Sequence, residues 1–530
     1  MESGTSQPVA TFTRRSSGLV RQVSALDTVF YGLGQIGIPY VSFITVAWVA
    51  YPGASMELAT LITVIGALAL GITYALFTSV YPRSGGEYVF LSRILHPSIG
   101  MAVSLINTFW EIFYVGINGV FWALFGWSPL LLMLGLQLHS SMLTNAGSWI
   151  TSPWGLFVCG SALVLFFGVI LHRGMKFYFR VQKWSMWVAF ACLLVTVIVL
   201  AITATGRIDF AHQFNGLVGA GAYQRIIHQA ATAHTDLAPS FSMGNTLTFM
   251  IWPAFAVLFA VFAVSFAGEI KRASRNMFIG ITGAMLASGV ALVALMFLTH
   301  SAVGTRFELA ITSLPTAKTG LPTMPWANVF AAIAGGSPVL TVIINLWVLL
   351  LIPYAAGTAA IYASRAMFAW GLDGLGPNRL GAVSDRLHTP GFAIFVTCVL
   401  AEAWLCVYAF TSLVTILSGL LGFAVAFLIT ALAGIVFPIR RREVFETSPA
   451  AIRLGSVRIL PVIASIASVL LAFIVYRAIV DKTYGANTAF SLWVNLVVFV
   501  VGFAWYYGAQ RIRRSQGIDL AARYKEIPVE

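Results

Sequence analysis

Apolar residues gather into twelve runs of about 20, the length that crosses a bilayer as a helix, separated by short polar stretches. The runs fall at 25–50, 55–80, 99–127, 153–172, 182–203, 246–267, 278–300, 328–362, 391–410, 412–437, 459–479 and 489–509. Backbone groups cannot go unpaired in lipid, so each run is read as helical, with interruptions allowed only where protein buries them. The pattern predicts an all-α integral membrane protein of twelve transmembrane helices.

Composition agrees with that pattern. Of 530 residues, 59% are hydrophobic and only 9% charged, with a mean hydropathy of +0.88, which leaves no room for a sizeable soluble domain. A cytosolic enzyme, a secreted module and a disordered scaffold are excluded. The net charge of +13 does not indicate nucleic acid, because the basic residues are scattered over short loops rather than gathered on one surface. They do set orientation: with the N-terminus inside, 25 of the 31 Lys and Arg fall on the cytoplasmic side. Both termini are therefore expected in the cytoplasm of a cell (plasma) membrane protein, with the 204–245 loop outside. The first 24 residues hold no apolar core, so the first span is read as the insertion signal. His212, His228 and His234 lie in that external loop at spacings matching no metal-ligand motif, which reads as an ordinary solvated loop. Cys159, Cys192, Cys398 and Cys406 lie in apolar runs without CxxC spacing and read as inert thiols; no metal or cofactor is predicted.

Gly32, Gly34 and Gly37 spell G-x-G-x-x-G, but no strand precedes them and Pro39 follows, so a dinucleotide site is excluded. Two readings stay open: a helix break at mid-membrane depth, or close helix packing through small residues. Broken helices at matching positions of two half-repeats point to a transporter site. The partner candidate is the sixth run, where Pro253 precedes an all-apolar AFAVLFAVF stretch at 254–262.

Three loop segments carry a more specific signal. YPRSGGEYVFLSRILHPSIG (81–100), FAGEIKRASRNM (266–277) and SRAMFAWGLDGLGPNRLGAVSDRLHTP (364–390) resemble, in order, loops of the amino acid-polyamine-organocation transporter superfamily, amino acid permease family. The resemblance implies two inverted repeats of five helices with broken helices 1 and 6, the substrate's amino and carboxylate groups held by unwound backbone. Boundaries follow: a tail at 1–24, repeat 1 at 25–203, the loop at 204–245, repeat 2 at 246–437, a basic loop at 438–458, two further spans at 459–509 and a basic tail at 510–530. The family's G-S-G-I stretch falls on Gln35, Ile36, Gly37 and Ile38, of which Gly37 and Ile38 agree. Its span 6 break, usually containing Gly, falls near Val257, Leu258 and Phe259.

Charge inside a span is costly and marks candidate function. Glu111 is read either as a partner for a cationic group or proton relay, or as a neutral hydrogen-bonded carboxyl; Asn118, at i+7, shares its face. Glu402 reads as structural or partner-facing. Lys183 is a snorkelling interfacial lysine or, by resemblance of the segment 176–190, the buried lysine that some proton-coupled members place between spans 1, 5 and 8. Span 8 offers few oxygen ligands for sodium, with Tyr354, Ala355 and Ala356 and only Thr358 nearby. The function expected is proton-coupled symport of an amino acid by alternating access. A polyamine or cationic amino acid exchanger of the same fold is the alternative. No catalytic motif argues for an enzyme, and a channel would need polar rings along a continuous path.

Overall fold

The computed structural model describes residues 18–35, 37–412, 419–520 and 524. It is all-α, with twelve helices long and apolar enough to cross a membrane: Ala25–Ala50, Met56–Val80, Pro97–Gln137, Pro153–His172, Met175–Ala204, Met243–Glu269, Ala273–Val303, Pro338–Asp373, Gly391–Phe410, Leu420–Arg440, Ile459–Val480 and Ala489–Ser515. They are spans 1 to 12 below.

Boundaries differ from the sequence reading at several spans. Span 8 runs on to Asp373, taking in the start of the segment read as a loop from 364, and span 12 runs on to Ser515. Three further shifts have a local cause. Span 3 continues past 127 to Gln137 through a π-helical stretch, Trp122–Trp127, next to Pro129, whose missing N–H a widened turn accommodates. The apolar run at 328–362 is divided, because Gly336 at φ +63 ends one helix, Ala327–Gly335, and Ser337 caps the next, so span 8 begins at Pro338. Span 5 begins at Met175, which puts Lys176, Arg180 and Lys183 on its first turns. Part of the run expected at 412–437 lies outside the described residues, at 413–418.

Span 8 is the hub, packed against spans 3, 4, 5 and 9, while spans 2 and 7 form another close pair. At the end of the bundle where span 1 starts, the three loop segments that carry the family resemblance come together. Arg365 donates to Glu269 at 3.1 Å with both side chains buried, and Arg83 meets Asp373 at 2.9 Å. Gly85 N–H donates to Ser265 O, and the stretch before span 1 joins the same layer through Val23 and Lys271, whose N–H donates to Val23 O. Paired charges are the affordable way to keep ions in so dry a place, since each desolvated ion costs several kcal/mol alone.

Connecting helices cover the opposite end. The 204–245 loop contains Phe210–Val218 and Ala222–Thr232, and Tyr223 stacks on Phe307 of Thr305–Ser313 at 4.1 Å between ring centroids. Glu308 on that last helix is buried, with no donor to either carboxylate oxygen among the described residues. Burial, then the nearby charge of Glu57 (itself 3.3 Å from His300), pushes its carboxyl from an ordinary 4.5 up to about 8. The folded chain therefore holds this proton more tightly than the unfolded one. The contribution of Glu308 to stability is fully present below pH 4.5 and is lost as pH rises toward 8. Melting temperatures of Glu308→Gln should lose this part of the decline; native and variant curves that run parallel across that window would contradict the account.

Candidate functional site

Span 1 starts as a well-made helix and then stops. Ser24 caps Ala25–Gly34 with a full capping box to Asp27, after which Gln35 turns extended (ψ 178) and Gly37 adopts φ 40, ψ −130. The chain resumes as a 3₁₀ turn, Ile38–Tyr40, with Pro39 inside it. Gln35 and Ile38 are buried on either side of the break; Ile36 lies outside the described residues.

Both readings of the glycines are realised, at different residues. A Cβ on Gly32 would lie 2.5 Å from Ala284 Cβ and one on Gly34 2.7 Å from Gln182 Nε2, so these two are packing glycines. Gly37 alone of the three has the positive φ that side chains resist.

Span 6 is interrupted too, without a glycine. Met243–Phe249 and Ile251–Val257 are short α-helices hinged at Met250, and from Leu258 to Glu269 the chain runs as 3₁₀, with Phe266 off helical geometry. A 3₁₀ run this long is rare, and a stretch of it within a helix marks a hinge. The helix gives way where the sequence reading placed the break, at Val257, Leu258 and Phe259, all buried. The two interrupted spans are tied together by Tyr31, whose hydroxyl donates to Thr358 O at 3.1 Å and reaches Phe262 O at 3.5 Å.

Beside the span 1 break lies a small cavity of about 10 Å³, room for a single water, bordered by Pro39, Tyr40, Asn118, Phe121, Phe125, Ile352 and Ala355. Asn118 spends its amide N–H on Tyr114 O, leaving Oδ1 without a donor among the described residues. Val257, Leu258 and Phe259 do not border the pocket directly. Phe259 reaches it through Phe255, 5.1 Å from Phe259 and 5.1 Å from Tyr40, and its other side packs on Phe423. The arrangement sets freed backbone, one amide oxygen and an aromatic wall side by side.

Residues 24–504 match the family model for amino acid permeases. The chain belongs to that family. It is accordingly a membrane amino acid transporter, and the family indicates transport rather than catalysis. No curated protein matches the chain.

The permease departs from the sequence reading at Lys183. The place between spans 1, 5 and 8 is filled by Gln182, which is buried, donates to Phe30 O at 3.1 Å and lies beside Gly34, whose added Cβ would also meet Tyr354. Neighbouring helix positions point about 100° apart, so Lys183 is turned out of that place. It is 39% exposed and pairs at 2.8 Å with Asp27, in a separate cavity shared with Phe179, Arg180 and Trp184 at the basic end. Glu111 is buried on span 3, its Oε2 without a donor among the described residues. Glu402 accepts from Ser161 at 2.9 Å, a bond between spans 9 and 4.

Sequence reasoning passed over Gln182, Tyr31 and Tyr40. A glutamine inside an apolar run was a signal; tyrosines in an aromatic-rich chain were not.

At Gly37 a side chain would be strained by about 1–3 kcal/mol and would crowd Leu33 O and Gln35 O. Gly37→Val should fall at least tenfold in uptake while reaching the membrane normally. Gly32→Ala should instead lower stability, because its new methyl group meets Ala284. Near-native uptake by Gly37→Val would move the site elsewhere.

Proposed function

We propose that this permease is a proton-coupled secondary transporter that carries an α-amino acid across the plasma membrane by alternating access. The observation that carries the reading is the pair of interrupted helices, at Gln35–Gly37 and from Val257, with a small apolar cavity beside the first. In this reading the substrate's ammonium and carboxylate engage backbone near Gln35, Ile36, Gly37 and Ile38 and near Val257, Leu258 and Phe259. Asn118 Oδ1 accepts one further bond. The cavity of about 10 Å³ has room for one water, so the site has to widen before it admits an amino acid, and its Tyr40, Phe121 and Phe125 border favours a neutral apolar side chain.

Two repeats, 25–203 and 246–437, are the moving and supporting halves of the proposal, and the pairings of spans 2 with 7 and 3 with 8 support their equivalence. The basic end faces the cytoplasm and both termini lie there, since 25 of 31 basic residues then lie inside. For the coupling proton, buried Glu111 is the carrier near the pocket. Lys183, held by Asp27, serves as an ion pair between spans 1 and 5 whose opening accompanies the inward-facing state.

A cationic amino acid or polyamine exchanger is the second reading, favoured by Glu111, whose carboxylate has no cation paired with it among the described residues. Purified protein is first screened for thermal stabilisation by the twenty amino acids and common polyamines, because a ligand that binds only the folded state raises its stability. The stabilising ligand is then supplied to sealed proteoliposomes. The proposal predicts saturable uptake of a neutral amino acid that accumulates with an inward proton gradient and ignores sodium. Sodium-driven accumulation would reject the coupling, exchange restricted to cationic ligands would establish the second reading, and flux linear in concentration would indicate a channel.

A further inference from the structure

Three buried carboxylates crowd the inner layer of the bundle, and they are not treated alike. Glu269 has Arg365 at 3.1 Å, and Asp373 has Arg83 at 2.9 Å and Arg93 at 3.7 Å. Glu87, 0% exposed, has no ion pair among the described residues. Its Oε1 accepts from Tyr362 Oη and from Asn107 Nδ2. Its Oε2 and Asn107 Oδ1 are both buried acceptors without a donor among the described residues. Two buried acceptors left without a donor are a costly arrangement. One proton on Oε2 removes the cost, because the carboxyl then donates, and the amide that already gives Nδ2–H to Oε1 still has Oδ1 to receive.

We propose that Glu87 is a proton-binding site of this transporter, neutral in the state seen here, and that its proton is linked to the span 6 break through Tyr362. The proton adds to Oε2 of the carboxylate, forming one O–H bond and cancelling one negative charge, with no other bond made or broken. Losing it leaves a bare carboxylate whose attachment to Tyr362 Oη and Asn107 remains. The link onward is short: the Tyr362 ring lies 4.4 Å from that of Phe262 in the 3₁₀ part of span 6, and Phe262 O is reached by the Tyr31 hydroxyl of span 1. Glu87 also follows Gly85 and Gly86, both at positive φ, and Gly85 N–H donates to Ser265 O of the same 3₁₀ run. A change of charge at Glu87 therefore acts on the segment that has to move when the site opens inward.

The titratable groups around it are Tyr362 on span 8, Tyr74 on span 2 and Glu111, one helical turn beyond Asn107 on span 3. Span 10, also packed on this helix, has no titratable side chain before Arg440. No cation is among these neighbours. Burial pushes the Glu87 carboxyl up from its ordinary range, and the bonds from Tyr362 and Asn107 only partly oppose it. A carboxylate with no cation beside it in an apolar protein favours its neutral form.

The inference rests on the proton-coupled reading for its use in transport, but the protonation is testable without it. Infrared difference spectroscopy of the purified full chain, titrated with acid and base, reads the carbonyl band of a protonated carboxyl directly. Glu87→Gln keeps the shape and both acceptor bonds. The band should be present in the native protein at neutral pH and lose the Glu87 contribution in Glu87→Gln, and Tyr362→Phe should shift its midpoint. An identical band in Glu87→Gln overturns the proposal. Should Glu87→Gln not fold, an unchanged midpoint in Tyr362→Phe overturns it equally. A band lost in Glu87→Gln together with native vesicles that ignore a proton gradient would keep the proton site and reject proton-driven transport.

Discussion

Backbone polar groups cannot be left bare in a medium without water, and this constraint governs both why the protein spans the membrane as helices and where it can afford to stop being helical. Spans 1 and 6 break only at places surrounded by other spans. Around those breaks Gln182 serves Phe30 O, Tyr31 reaches Phe262 O and Gly85 serves Ser265 O. The partners are side chains of spans 5 and 1 and the backbone of the connection after span 2. An irregular backbone that elsewhere would be a defect becomes an adaptable set of donors and acceptors, at the depth where a substrate's charged ends need them.

The ionic layer at the basic end answers a related problem. Loops 81–100, 266–277 and 364–390, far apart in sequence, are clamped by Arg365–Glu269 and Arg83–Asp373, all four side chains buried. Breaking one partner of such a pair leaves an uncompensated charge, at about 3–5 kcal/mol, so the layer is intolerant of single changes. Against this background, the Lys183–Asp27 pair, with Lys183 39% exposed, is the weaker contact.

Much of this was legible in the chain because the governing physics is coarse. Runs of about 20 apolar residues specify a spanning helix almost irrespective of which apolar residue stands where, and the twelve spans appear as read. Span 8 was misplaced because Gly335–Gly336 lies inside an apolar run, and hydropathy alone does not register a positive φ. The span 1 break was legible in Gly37 and Pro39. The span 6 break was signalled weakly by Pro253 and placed near Val257, Leu258 and Phe259 by resemblance, since AFAVLFAVF contains no residue that favours interruption. Lys183 shows the finest limit: one position along a helix turns a side chain by about 100°, which is enough to exchange the interior place for a pocket at the basic end and give that place to Gln182. Glu87 lay within a recognised segment, yet its difference from Glu269 and Asp373 is a matter of which carboxylates the fold supplies with arginines.

The central claim is that an amino acid is held by backbone between the two breaks. A structure determined with the stabilising amino acid bound tests it most directly. The account predicts ligand density between Gly37 and Val257, with the carboxylate and ammonium within hydrogen-bond distance of main-chain groups at 35–38 and 257–259 and the side chain toward Tyr40 and Asn118. Density instead in the cavity around Asp27, Lys183 and Trp184, with the space between the breaks closed, would contradict it.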